Sequence, residues 1–395
     1  MNIAIYVSDG FNPKHGGIER VSSIETDIFR KLGHNVFYVS RHPEDTKEFH
    51  PIAEEVFLPM PHNDCAKENV DMFTEYVRSR SIDVILCQYP FEKGFTTLPY
   101  LVKKNTGVKL LYAVHQTPDY TSLSIEETSC PILPSEKRLS RQVRRIMRIL
   151  FKKQKRKSHD KKMGDILREV YEMGDGVILL SKEFMPIYQR LTHVTSAEKF
   201  FAIPNPNTYE PEQIVDRDKE NTLLFVGRLA IEKRPEKVLV LWKRIQYRFP
   251  DWNLKIVGAG ELKEDLEILK RKMKLERCFI EGRQDPQPYY EKAKILLMTS
   301  DFEGFGMVLT EAMQNGTVPM AFNSFKALTD VIQDEKTGVI VNALDLDEYE
   351  KKLAELMSDE DKRKRMAQAA KEDVKKFSRE RITEHWENLF RQLGF

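Results

Sequence analysis

Glu303-Gly304-Phe305-Gly306-Met307-Val308-Leu309-Thr310-Glu311-Ala312-Met313 is the most informative stretch of this 395-residue chain. It follows Ile295–Met298, a short apolar run that reads as a buried strand, and it passes directly into a helical pattern. A strand–loop–helix join of this kind belongs to a β-α-β unit, so the stretch points to a parallel sheet covered by helices. Two glycines in the loop let backbone approach a ligand closely, and the N–H groups of the helix's first turn attract an anion. Glu303 stands before that helix and Glu311 eight residues later, so two carboxylates reach different parts of one ligand. Carboxylates accept hydrogen bonds from vicinal hydroxyls, which makes the loop suited to a ligand carrying phosphate and sugar together. For Glu303 alone the plainer reading is an acidic residue favourable to a helix start.

Outward from this loop the same pattern recurs. Strand candidates in the first half are Ile3–Val7, Val36–Ser40, Val84–Cys87, Leu110–Val114 and Val177–Leu180. The second half restarts with Thr222–Val226, Leu254–Val257, Phe279–Glu281, Ile295–Met298, Val318–Ala321 and Val339–Val341. Between them, Ile203-Pro204-Asn205-Pro206-Asn207-Thr208 and the polar run Glu210–Asn221 read as an interdomain linker. The expected architecture is α/β, two facing Rossmann-like domains with parallel sheets and a cleft between them, where doubly wound sheets bind ligands at their strand ends. The expected boundaries are 1–204, 205–378 and a final helix over 379–395.

Composition bounds the classes. Hydrophobic residues make up 41% and charged residues 31%, the balance of a globular chain rather than a disordered one. No apolar run reaches the roughly 18 residues of a membrane span, and Ile3–Val7 lacks the basic flank of a signal peptide. Four scattered cysteines, Cys65, Cys87, Cys130 and Cys278, show no Cys-x-x-Cys. No structural metal is therefore expected, and a reducing cytoplasm is. The net charge of +2 conceals an asymmetry: residues 135–162 hold thirteen Lys/Arg against Glu136 and Asp160, or +11, which leaves −9 elsewhere. One local cluster is not the basic face that nucleic acid requires, so no nucleic-acid partner is expected.

Three further loops carry chemistry. Val226-Gly227-Arg228-Leu229, followed by Glu232-Lys233-Arg234-Pro235, comes straight after the first strand of the second half. Arg228 and Lys233 are placed to converge on one anion such as a diphosphate, while Arg234 and Lys237 are read as part of a solvated basic loop. Asn12–Arg20 opens a helix at Gly16-Gly17, which suits phosphate but matches neither the dinucleotide fingerprint nor a P-loop. His115, at the end of Leu110–Val114, is placed to bond a sugar hydroxyl; a lone His is more often structural. Gly258-Ala259-Gly260-Glu261 adds a glycine turn after another strand.

Taken together these strings resemble the family 4 retaining glycosyltransferases of the GT-B fold, also described as glycosyl transferases group 1. The resemblance covers nearly the whole chain, and the Glu303–Glu311 spacing is its most specific element. It implies that Arg228 and Lys233 bind the donor diphosphate, that Glu303 contacts the transferred sugar and that Glu311 holds the ribose. Backbone at Gly17, Gly258 and Gly304, Phe305, Gly306, Met307 and Val308 would complete the phosphate cradle. Arg283 would flank the base and His115 would lie by the sugar. By the same analogy a hexosyl group leaves a nucleoside-diphosphate sugar, UDP-sugar favoured and GDP-mannose next, for an acceptor hydroxyl with its anomeric configuration retained. No cofactor and no metal are required. The resemblance also implies that the final helix, with Trp386, returns to the first domain.

Leu139, Val143, Ile146, Met147 and Leu150 share one helical face amid arginines. This segment is expected either to lie on anionic lipid, placing the protein at the inner membrane face near a glycan or lipid-linked glycan acceptor, or to pack as an ordinary helix with a solvated basic side. Phe91–Lys104 and Thr117–Pro134 are expected to line the acceptor side. The competing readings are a non-catalytic sugar-nucleotide-binding subunit and a GT-B epimerase or hydrolase.

Overall fold

The computed structural model describes residues 1–13, 16–42, 52–120 and 152–395. The basic helix face Leu139–Leu150, most of Thr117–Pro134, and Lys14, His15 and Cys130 lie outside these residues. The chain divides into two compact units. One comprises 1–119, 159–208 and 377–395, the other 120–158 and 209–376.

In the first unit the strands are β1 (Asn2–Asp9), β2 (Asn35–His42), β3 (Glu54–Phe57), β4 (Val84–Gln88), β5 (Lys109–Val114), β6 (Gly176–Leu179) and β7 (Phe200–Ala202). They form one parallel sheet in the order β3-β2-β1-β4-β5-β6-β7. The second unit holds β8 (Glu220–Val226), β9 (Asn253–Val257), β10 (Cys278–Gly282), β11 (Ala293–Met298), β12 (Val318–Phe322) and β13 (Val339–Val341). Its parallel sheet runs β10-β9-β8-β11-β12-β13. All residues of β4 and β12 are buried, as expected of strands covered on both faces.

The eleven strand candidates are all present, and two strands were missed. β3 reads Glu-Glu-Val-Phe and β7 is three residues long; both are sheet edges, where little apolar surface is buried and the hydrophobic signal is weak.

In each unit the strand order reverses at its first strand, between β1 and β4 and between β8 and β11. Adjacent connections leave such a point in opposite directions, which opens a crevice at the carboxyl ends of the strands. This places the loops after β8 and β11 side by side.

The helix Arg379–Gln392 belongs to the first unit. Ser378 caps it by accepting from the Arg381 amide, and Ile382, Trp386, Leu389 and Phe390 are buried with Ile24, Ile28 and Phe29 of the helix Gly17–Lys31. Trp386 meets Phe29 edge-on at 5.0 Å between ring centroids. Arg379 fixes the return by donating to the Thr208 carbonyl at 3.1 Å and reaching Asp27 at 3.6 Å. In the second unit Trp242 and Trp252 anchor the core, with Trp242 Nε1 donating to the Glu276 carbonyl at 2.8 Å.

Candidate active site

At the second unit's reversal point, the exits of β8, β9 and β10 are laced together by backbone. Gly227 N–H donates to the Val257 carbonyl, Leu229 N–H to Ala259 and Gly258 N–H to Gly282. A Cβ on Gly258 would lie 1.8 Å from the Gly227 carbonyl oxygen, so only glycine allows this approach. The structure therefore gives Gly258 a packing duty that the sequence reading did not foresee. Arg283, one residue beyond β10, is exposed.

After Leu229 the chain makes a short 3₁₀ turn, Ile231–Lys233, pinned to the exit of β11. Asp301 N–H donates to the Glu232 carbonyl at 2.9 Å and Thr299 Oγ1 to the Arg234 carbonyl at 2.9 Å. Here the reading of Arg234 and Lys237 as solvated is wrong. They are 4% and 2% exposed, and both grip Asp301, Arg234 through Nε and Lys237 through Nζ at 3.1 Å. Glu236, also buried, adds a second carboxylate 3.5 Å from Arg234. Arg234 adopts left-handed backbone with φ 53°, which turns the chain sharply into the helix Pro235–Ile245 and sends its side chain inward. Sequence spacing carries no sign of that reversal.

The pinned turn brings Lys233 to Glu303. Lys233 Nζ lies 2.7 Å from both carboxylate oxygens, and Ser300 Oγ donates to Oε1 at 2.8 Å. The Glu303 side chain is 10% exposed and that of Lys233 24%, so the pair sits at a surface from which a ligand can reach it. Arg228 is different: its side chain is 70% exposed and is paired with Glu232 rather than with Lys233's partner. Arg228 and Lys233 share one loop, yet each is held by its own carboxylate.

Beyond Glu303, residues Gly304, Phe305 and Gly306 are buried. Gly306, with φ 78°, turns the backbone into the helix Met307–Gln314. The amides of Met307 and Val308 open that helix and have no acceptor within it. Glu311 is 1% exposed, and Tyr290 Oη donates to its Oε2 at 2.8 Å. Tyr290, from the short helix Gln287–Lys292, is a partner that sequence spacing did not reveal.

In the first unit, Gly17 is the exposed first residue of the helix Gly17–Lys31. His115 follows β5 and is buried, its Nε2 against Gln88 Oε1. Burial lowers its pKa to about 4, which keeps the imidazole neutral at ordinary pH. Gln88 in turn donates to Glu25 Oε2 at 2.9 Å. Neither Gln88 nor Glu25 was singled out from the sequence. Among the described residues no three His, Cys, Asp or Glu side chains group as a metal centre would require, and no helix is long and apolar enough to cross a membrane.

Two parallel doubly wound sheets, each reversing its strand order once, are the architecture of a GT-B fold, which the solved structures below share. Residues 207–373 match the model of the family glycosyl transferases group 1. The chain is 30% identical over 190 residues to an uncharacterized glycosyltransferase of Haemophilus influenzae, covering 48% of this chain and 54% of that one. It is 27% identical over 236 residues to a Campylobacter jejuni α-1,4-N-acetyl-D-galactosaminyltransferase named for an undecaprenol-linked substrate, covering 59% and 64%. The chain thus spans between half and two thirds of the length of these relatives. Among solved structures it is similar to a sucrose-phosphate synthase from Thermosynechococcus elongatus, with TM-score 0.75, 19% identity and coverage of 99% and 98%. It is also similar to Anabaena HepE in complex with UDP, with TM-score 0.73, 14% identity and coverage of 99% and 100%. At these identities the structural likeness bears on fold alone.

Proposed function

We propose that the protein transfers a hexosyl group from a nucleoside-diphosphate sugar, with a UDP-sugar as the favoured donor, to a hydroxyl of a glycan or lipid-linked glycan, retaining anomeric configuration. The observation that carries this reading is the Lys233–Glu303 pair held between the exits of β8 and β11, beside the opening amides of Met307–Gln314. An ammonium and a helix N-terminus stabilise a departing diphosphate, and a carboxylate accepts sugar hydroxyls. In the structure these opposite charges satisfy each other. On binding, Lys233 turns to phosphate and Glu303 to the sugar, while Arg228 swings from Glu232 to join Lys233. Glu311, oriented by Tyr290, takes the ribose hydroxyls. In this reading the acceptor attacks from the face the leaving group vacates, and the phosphate collects its proton. No protein nucleophile and no metal are needed.

The relatives favour polysaccharide or glycolipid assembly: one acts on an undecaprenol-linked glycan, and another, from Erwinia amylovora, is named for amylovoran biosynthesis. The choice of uridine follows the resemblance to the family; one solved protein of the same fold holds UDP. The test is thermal stabilisation by a panel of nucleoside diphosphates and their sugars, with and without EDTA, in wild type, Arg228→Ala and Glu303→Ala. A ligand that binds only the folded state at one hundred times its Kd stabilises it by about 2.7 kcal/mol. The expected result is stabilisation by uridine nucleotides, indifferent to EDTA, and lost in Arg228→Ala. A folded protein that responds to no nucleotide would remove the donor site and this reading with it.

A further inference from the structure

Lys219 stands one residue before β8, within the polar run Glu210–Asn221 that the sequence marks only as linker. Its half-buried side chain reaches three acceptors inside the second unit. Nζ donates to the Tyr290 carbonyl at 2.8 Å, to the Asn315 carbonyl at 2.6 Å and to the Thr317 hydroxyl at 3.2 Å. An ammonium has three hydrogens and no lone pair, so these three acceptors satisfy it in full. Burial lowers its pKa to about 7, so at pH 6 the amine carries its third hydrogen.

The acceptors come from three places in the chain. Tyr290 lies in the helix Gln287–Lys292, Asn315 directly follows the helix Met307–Gln314, and Thr317 precedes β12. A cation at Asn315 also opposes the negative end of the helix whose other end opens at Met307. Two of these residues in turn hold Glu311. Tyr290 Oη donates to Glu311 Oε2 and Asn315 Nδ2 to the Glu311 carbonyl, both at 2.8 Å. Thr317 Oγ1 lies 2.6 Å from the same Tyr290 carbonyl, which ties the third acceptor to the first. One ammonium thus anchors a partner of the Glu311 carboxylate and a partner of its backbone. Tyr290 is fully buried and Glu311 is buried with it, so neither has room to shift alone.

We propose that Lys219 is a positioning residue that sets the Glu311 carboxylate, through Tyr290 and Asn315, for the ribose hydroxyls of the donor. The inference rests on the functional reading above, in which Glu311 takes those hydroxyls. Lys219 itself touches no part of the donor in this scheme. It removes the freedom that the carboxylate would otherwise lose on binding.

The experiment compares the affinities of UDP and 2′,3′-dideoxy-UDP at pH 6 in wild type, Glu311→Gln, Tyr290→Phe and Lys219→Met, each shown to be folded by its urea transition. Hydrogen bonds to a carboxylate make wild type favour UDP roughly tenfold to a hundredfold. Lys219→Met is expected to weaken UDP and leave the dideoxy analogue unchanged, so that the ratio falls toward that of Glu311→Gln, with Tyr290→Phe behaving alike. Where Lys219→Met does not fold, Thr317→Val is read in its place. It removes one acceptor of the ammonium and is expected to give an intermediate ratio. A folded Lys219→Met or Thr317→Val that keeps the wild-type ratio overturns the inference and spares the donor site. Equal weakening of both nucleotides also overturns it, because that is the mark of a general structural role. A wild type that binds UDP no better than its dideoxy analogue removes the ribose reading of Glu311, and this inference with it.

Discussion

Replacing Asp301 by alanine tests how the pinned turn is held. Arg234, Lys237, Glu236 and Asp301 are two cations and two anions packed together, with both cations and Glu236 all but fully buried. Asp301→Ala leaves this group with one net positive charge away from water. Breaking a buried pair by removing one partner costs roughly 3–5 kcal/mol, against 0–1 kcal/mol for an exposed one. The loss falls on the second unit, whose core holds Trp242 and Trp252, while the third tryptophan, Trp386, lies in the first unit's core. In a Trp386→Phe background, tryptophan fluorescence during urea unfolding therefore follows the second unit. The expected result is a loss of about 3–5 kcal/mol for Asp301→Ala, and a smaller loss for Asp301→Asn, which keeps hydrogen bonding but not charge. A change below about 0.5 kcal/mol would refute the reasoning, because that is what a solvated surface carboxylate is worth.

Two further outcomes follow from particular groups. Burial lifts the Glu25 carboxyl from 4.5 to about 8, so between these values the folded protein keeps a proton that the unfolded chain has released. Stability from this group is therefore lost as pH rises, at about 1.4 kcal/mol per pH unit, reaching roughly 3 kcal/mol by pH 7; Glu25→Gln should flatten that slope in pH-dependent melts, and an identical slope in both proteins would contradict it. Gly258→Ala would force a methyl to 1.8 Å from the Gly227 carbonyl oxygen, backbone that cannot easily retreat. Its cost should exceed the 1–3 kcal/mol of ordinary overpacking, read as loss of soluble protein or of the second unit's urea transition, and a near-wild-type transition would show that the two loops are not held in contact.

The sequence by itself determined the sheets. A buried parallel strand must be apolar on both faces, and the runs ending at Val7, Cys87, Val226, Met298 and Ala321 satisfy that condition within a few residues. Hydrophobic periodicity is local, which is why it located strands and failed only at the edges, β3 and β7. It also marked the loops after β8 and β11 as chemically loaded, because glycines and charges cluster there at strand ends. What it could not determine was which charges meet. Arg234 and Lys237 looked like solvated neighbours of Lys233, yet the left-handed turn at Arg234 points them inward to Asp301, 67 and 64 residues away. Lys233 finds Glu303, 70 residues on, because the strand order sets β8 beside β11. The same holds for Tyr290 with Glu311 and for Glu25 with Gln88 and His115. Ion pairs and buried hydrogen bonds need contact within about 3 Å and a particular direction, and strand order and backbone turns supply both only once the chain has folded.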